Sequence, residues 1–543
     1  MSKTPKRING SVKALNQLIA AVLVASNLPA FAEKLPSPGE VVQYLNPIRQ
    51  KSYLNESQDR IIKKKSFKPS KIEGVRAVSN REIGLFAQIP TDKNNDEAFI
   101  EQLLSKPEVN GVSCLLPWSL LEPTEETYNF QPVDKVVQLC KKHGKTLILE
   151  VSTCGIDGHK GATTSGAENT SDTPDWVFAA GSKFVEYPNK DGKANKLPVF
   201  WDTTYLAKWA NFVNELGRVY DKNDVIHSVA ITGGGILAST QIVPDFVAGS
   251  AEAVESKLRK DFGMTPRQLV GHWKYVADIF PKAFPTRRLL FDIDPPVPGR
   301  KGQDSLDEIS DYLMYRYGQR IYLIRENVDA KHGFDQYRVL LKFKDDTLTG
   351  YQLDPATDDA TLVKITKIAG DDGVSFAIIP AAIFEKKDAD FTAHLNDLRA
   401  RLGYQLVAQQ VTLPGALKVS EPMKAAFRFV NIGAATPKRP LRELDKDVPS
   451  SFKVQIKLVD KKGKSVVMSR HTPPVPTTMW VAGKPIAWEE ELKMPAISPG
   501  TYSVFMSVID ENTKGKLQML NALANENPAP QFEIAVGEIS ITE

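Results

Sequence analysis

Between residues 83 and 379 the chain alternates short, continuously apolar runs with longer stretches that are apolar on one face only. The runs are Ile83–Ile89, Gly111–Pro117, Thr146–Val151, Ile226–Thr232, Arg288–Ile293, Arg320–Ile324, Thr347–Leu353 and Val374–Ile379. A strand with one wet face alternates apolar and polar residues; a continuous run is the mark of a strand buried on both faces, as in a parallel sheet covered by helices. The helical patterns between them are Glu97–Leu104, Val133–His143, Thr204–Tyr220, Glu252–Phe262, Pro266–Phe280, Ser305–Tyr317 and Phe391–Leu402. Eight such strands with intervening helices predict an α/β fold, a (β/α)8 TIM barrel with loop insertions, over residues 81–403. An open doubly wound sheet is the competing arrangement. It is disfavoured because no Gly-rich dinucleotide fingerprint follows the first strand.

After Leu402 the texture changes. Gln405–Leu413, Ala425–Val430, Phe452–Leu458, Ser465–Arg470, Ile486–Leu492, Thr501–Ile509 and Gln531–Val536 are short strand patterns separated by Pro-, Gly- and Asn-rich turns. They predict an antiparallel β-sandwich domain over residues 404–543. A chain of 543 residues, 42% of them hydrophobic, has enough apolar mass for two such cores. At the other end, Lys3, Lys6, Arg7 and Lys13 precede the apolar run Leu18–Ala25 and the small residues around Ala30–Phe31–Ala32. This is the pattern of a signal peptide over residues 1–32, and it implies a periplasmic or secreted protein. The apolar run is far shorter than the ~20 residues a membrane span requires, so no span is expected after cleavage. Residues 33–80 read as a polar, Lys-rich arm or linker.

A net charge of +4, with no basic stripe interleaved with aromatics, does not argue for nucleic acid, and no nucleic-acid partner is expected. The three cysteines, Cys114, Cys140 and Cys154, read as buried free thiols. There is no CxxC, HExxH or clustered His, so neither a metal nor an organic cofactor is expected. No G-x-S-x-G elbow is present, and Gly233–Gly234–Gly235 lacks the Lys-Ser/Thr of a P-loop. Those glycines imply a tight turn or a close backbone approach to a ligand. Carboxylates are what the strand ends offer: Glu122, Glu150, Asp292, Asp294, Glu326 and Asp354. Strand alternation puts Asp292 and Asp294 on one side and Phe291 and Ile293 on the other. In a parallel barrel the C-terminal strand ends build the active site. Two acids there can protonate a leaving oxygen and attack, or activate water at, an anomeric carbon. Trp118, Trp176 and Trp201 are candidates to stack on sugar rings, while Trp209 lies on a helix face and reads as packing. We therefore expect a carbohydrate-cleaving enzyme with Glu326 as general acid and Asp292 or Asp354 as base or nucleophile. Trp118, Glu122, Glu150, Trp176, Trp201 and Asp294 are expected to line the sugar subsites.

The segment LLPWSLLEPTEETYNFQPVDKVVQLCKKHGKTLILEV resembles the second and third strand units of clan-A barrel glycoside hydrolases, particularly the β-galactosidase-like group. Thr173–Trp176 is similar to the Pro-x-Trp of those enzymes, and the stretch from Phe200–Trp201–Asp202 to Tyr220 resembles their helix before the fourth strand. The resemblance implies a glycoside hydrolase whose acid/base Glu ends the fourth strand and whose nucleophile Glu ends the seventh. Here those positions read Ile231–Thr232–Gly233–Gly234–Gly235 and Gly350–Tyr351–Gln352–Leu353–Asp354. Two alternatives follow from that departure: a non-catalytic glycan-binding pseudoenzyme and an envelope scaffold protein. Neither the sugar nor the oligomeric state is legible.

Overall fold

The computed structural model describes residues 83–154, 172–188, 194–234, 251–297, 299–328, 334–386, 388–437, 452–494, 496–510, 516–517, 519–520, 530–531 and 533–543. The leader, the Lys-rich arm and Gly235 lie outside them.

Ten strands precede the C-terminal sheets: β1 (Gly84–Gln88), β2 (Val109–Pro117), β3 (Thr146–Ser152), β4 (Phe184–Pro188), β5 (Ala194–Pro198), β6 (Ile226–Ala230), β7 (Arg288–Asp292), β8 (Ile321–Val328), β9 (Thr349–Leu353) and β10 (Phe376–Pro380). Eight of them close a barrel in the order β1-β10-β9-β8-β7-β6-β3-β2, and all its pairings are parallel. All eight apolar runs are barrel strands. The remaining two, β4 and β5, form an antiparallel hairpin inserted after the third barrel strand. β6 is thus the fourth barrel strand and β9 the seventh, as the sequence numbering has them.

Most of the barrel strands face two cores. Phe86, Ile148, Ala230, Leu290, Tyr322, Ile324, Leu348, Phe376 and Ile378 fill the barrel's interior, while the alternate residues join the larger core under the helices. Side-chain capping fixes several helix starts. Asp202 accepts from the Thr204 and Tyr205 N–H groups, and Thr265 accepts from the Gln268 N–H just ahead of Pro266. Among the described residues, two helices of ten or more residues lie where the sequence reading placed none, Phe334–Phe343 and Asp359–Asp372. The second carries both punctuation marks of a helix, the Asp358 cap and a left-handed Gly373 at its end.

The C-terminal part forms two sheets that share one core. Leu406, Phe427 and Phe429 of one sheet pack with Val454, Ile456 and Val504 of the other. Among the described residues, the first sheet has five strands and the second six. Two pairings are parallel, Leu406–Thr412 with Met519–Leu520 and Ala416–Lys418 with Ile534–Thr542, so the sandwich is antiparallel in its main ladders only. The predicted strand Gln531–Val536 is two strands. Pro530–Gln531 belongs to one sheet and Ile534–Thr542 to the other.

Candidate active site

Interior parity extends to the C-terminal rim of the barrel. Residues two beyond Ile148, Ala230, Leu290 and Ile324 share their side of the sheet, which aims Glu150, Thr232, Asp292 and Glu326 inward. Asp292 pairs with Ile324, and the Ile293 N–H continues the ladder to the Ile324 carbonyl at 2.9 Å. That register sets Asp294 beside Glu326. The three carboxylates of Asp292, Asp294 and Glu326 are buried, and one oxygen of each lies within 4.8 Å of the others. Burial pushes the Asp292 carboxyl well above the usual carboxylate range. Asp294, Glu326 and Glu150 reinforce this by like-charge repulsion, and a hydrogen bond from the Asp294 N–H opposes it. Glu150, on β3, accepts from Ser113 Oγ of β2 at 2.5 Å. Beside it on the rim, Ser152 Oγ donates to Asp172 at 2.5 Å. Ser113, Thr232 and Asp172 carry no signal that sequence reasoning could rank, since a hydroxyl or a lone acid at a strand end is common.

Other candidates do different work. Asp354 does not join the trio. Its carboxylate accepts from the Ala356 N–H at 2.7 Å and its carbonyl from the Thr357 N–H at 2.9 Å, so it closes the turn after β9. Trp118 is fully buried, with its ring 5.0 Å from Trp209, 5.7 Å from Phe212, 5.9 Å from Trp176 and 6.1 Å from Tyr205. It begins a short helix that turns off the end of β2 and packs in the core under the helices. Glu122 is buried too. It accepts from Trp118 Nε1 at 2.8 Å and from the Glu126 N–H at 2.9 Å, stapling the loop after β2. Desolvation raises its pKa against those two hydrogen bonds. Trp118 and Glu122, expected to line the sugar subsites, are thus held against the protein's own residues. Trp176 and Trp201 remain half-buried, their indoles donating to the Glu122 carbonyl at 3.0 Å and the Phe262 carbonyl at 3.3 Å.

The glycines after β6 meet the protein's own core. A Cβ on Gly233, whose φ is +119°, would lie 2.3 Å from Trp209 Nε1, and one on Gly234 2.2 Å from His272 Nε2. Gly233→Ala is expected to destabilise by about 2–3 kcal/mol, from overpacking plus a left-handed backbone. Denaturant midpoints at unchanged slope measure it. An effect below about 0.5 kcal/mol, the range of an ordinary surface substitution, would show that the rim relaxes around the methyl.

Burial holds the His272 imidazole down at about 3 and that of His471, in the sandwich, at about 4. A depressed histidine stabilises the folded state fully above its unfolded pKa, near 6.5, and that stability drains as pH falls toward the folded value. Unfolding free energy is thus expected to drop by more than about 2 kcal/mol between pH 6.5 and 4. His272→Gln should flatten that slope; an unchanged slope in the variant would remove His272 as its source. All three cysteines are buried and none forms a disulfide, and burial pushes the Cys140 thiol up to about 12.

The closed (β/α)8 barrel, with inward carboxylates at its C-terminal rim, has an arrangement similar to that of barrel glycoside hydrolases. Residues 85–232, which span the first four barrel strands, match the model of glycoside hydrolase family 42, described as β-galactosidase. The match contains the segment that carries the resemblance seen in the sequence. Among solved structures, the chain is similar to the catalytic domain of a β-amylase from Paenibacillus polymyxa. The identity is 10% and the TM-score 0.42, over 59% of this chain and 98% of that one. No curated protein sequence matches. Among the described residues, no helix is long and apolar enough to cross a membrane.

Proposed function

We propose that this protein is an exported glycoside hydrolase that cleaves a poly- or oligosaccharide with a pair of carboxylates, Asp292 and Glu326. The observation that carries this reading is the convergence of Asp292, Asp294 and Glu326 on the inner C-terminal rim. Their spacing is nearer the ~5–5.5 Å of retaining enzymes than the ~6.5–9.5 Å that leaves room for an attacking water. Asp292, whose surroundings favour its protonated form, is suited to donate to the leaving oxygen. Glu326, slightly less buried, is then the nucleophile. This reverses the roles expected from sequence. Glu150 and Asp294 orient hydroxyls, and Trp176 and Trp201 offer the exposed parts of their rings to the sugar. Export rests on the basic and apolar pattern of residues 1–32.

One observation favours binding without cleavage. The fourth and seventh strand ends, where the resemblance implies glutamates, carry Thr232 and Gln352. Product release from a broad panel of polysaccharides and oligosaccharides, including β-galactosides, separates the two readings. Reducing ends released by the wild type but not by Glu326→Gln support the hydrolase. Calorimetric binding of one glycan without products would establish the pseudoenzyme.

A further inference from the structure

The acidic trio sits beside an oxygen of another kind. Thr232 is fully buried at the end of the β6 run, and its Oγ1 has no hydrogen-bond partner. Ala230 pairs with Leu290, so Thr232 stands beside Asp292, and parity aims both into the barrel. A buried hydroxyl without a partner is a cost that a ligand can offset. Among the described residues, the charged groups acting most strongly on Asp292 are Asp294, Glu326 and Glu150, all acids.

We propose that Asp292, Asp294, Glu326 and Thr232 form a binding site for a single divalent hard cation. The donor set is all oxygen, which suits Ca2+ or Mg2+ and not the thiolate and imidazole chemistry of zinc. Two oxygens on opposite sides of a Ca2+ ion are about 4.6–5.2 Å apart, against about 4.2 Å for Mg2+. Carboxylate oxygens held within 4.8 Å of one another accommodate the larger ion without rearrangement. Thr232 Oγ1 adds a neutral fourth ligand from the neighbouring strand.

The effect on activity rests on the hydrolase reading. Carboxylate lone pairs on a cation cannot also attack an anomeric carbon or exchange a proton with a leaving oxygen, so cation-bound and hydrolytic states exclude each other. The cation is then an inhibitor that occupies the substrate's own catalytic groups.

The test is calorimetric titration of the chelator-stripped full chain with CaCl2 and separately with MgCl2, with thermal unfolding in each. The expected result is one Ca2+ per chain, weaker Mg2+ and a raised midpoint. Asp294→Asn should weaken Ca2+ at least tenfold. Thr232→Val should weaken it severalfold, and Thr232→Ser, which keeps the hydroxyl, should restore it. No heat and no midpoint shift at millimolar Ca2+, or equal affinity in Asp294→Asn, would overturn the site. Ca2+ bound with no product from any glycan leaves the site standing and removes the hydrolase. Product formed at the same rate in Ca2+-saturated and chelated protein removes the mutual exclusion.

Discussion

Asp292→Asn and Glu326→Gln are each expected to lower glycoside turnover at least about a thousand-fold, the scale of losing a positioned acid or nucleophile. Both replacements keep side-chain shape and remove ionisation, so the loss belongs to chemistry and not to packing. Asp292→Asn has a second expected signature: the folded protein becomes more stable. Burial and three acidic neighbours raise the Asp292 carboxyl. A carboxyl raised on folding contributes stability that is complete below its unfolded pKa and is lost as pH rises through the folded one. Near neutral pH, in chelator-treated protein, the amide is neutral in the folded and unfolded chain alike, so that cost is absent. The thermal midpoint should rise by roughly 2–4 °C, the shift that about 1 kcal/mol makes in a large domain. The gap between variant and wild type should close as pH falls toward the carboxylate range. Stability gained where activity is lost is the expected trade at a charged site. A variant that keeps turnover, or one that loses stability at neutral pH, would remove Asp292 from the reaction.

The barrel was legible because its strands are buried twice. A residue such as Ile148 faces the interior and Leu149 the helical layer, so neither position tolerates polarity, and the run reads as apolar throughout. The helix Asp359–Asp372 escaped because its apolar residues are interleaved with Thr361, Lys364, Thr366 and Lys367. Its cap and terminal glycine were the better clue. Strand parity likewise made the acid cluster legible, since Asp292 and Asp294 follow from Leu290 and Glu326 from Ile324. That Asp294 meets Glu326 depends on the register of β7 against β8, which no local pattern encodes. Asp354 shares the parity of Gln352 but lies past the last paired residue, where the chain has begun to turn. Trp118 shows the limit of motif reading. An indole after a strand end looks the same whether it faces a pocket or a core, and its Tyr205, Trp209 and Phe212 partners lie in a helix far along the chain.

Trp118→Ala is expected to cost about 3–5 kcal/mol, the range for emptying a large aromatic site in a core. Rings from Trp176, Tyr205, Trp209 and Phe212 pack around this indole and cannot all collapse inward, because the last three are fixed on one helix. The same substitution takes Nε1 away from the buried Glu122 carboxylate, leaving the Glu126 N–H as a remaining donor to a group whose pKa burial already raises. Trp176 provides the contrast. It is half-buried and donates only to the Glu122 backbone, so Trp176→Ala should cost about 1–2 kcal/mol, a hydrogen bond and part of a ring face, with the larger loss in glycan affinity. Urea unfolding of both variants, beside calorimetric titration of the glycan that the panel identifies, separates the roles. If Trp118→Ala keeps its unfolding midpoint and loses the sugar while Trp176→Ala does neither, then Trp118 is the stacking residue after all. The loop after β2 would then have to open for substrate, and the mouth of the barrel would be built on a moving wall.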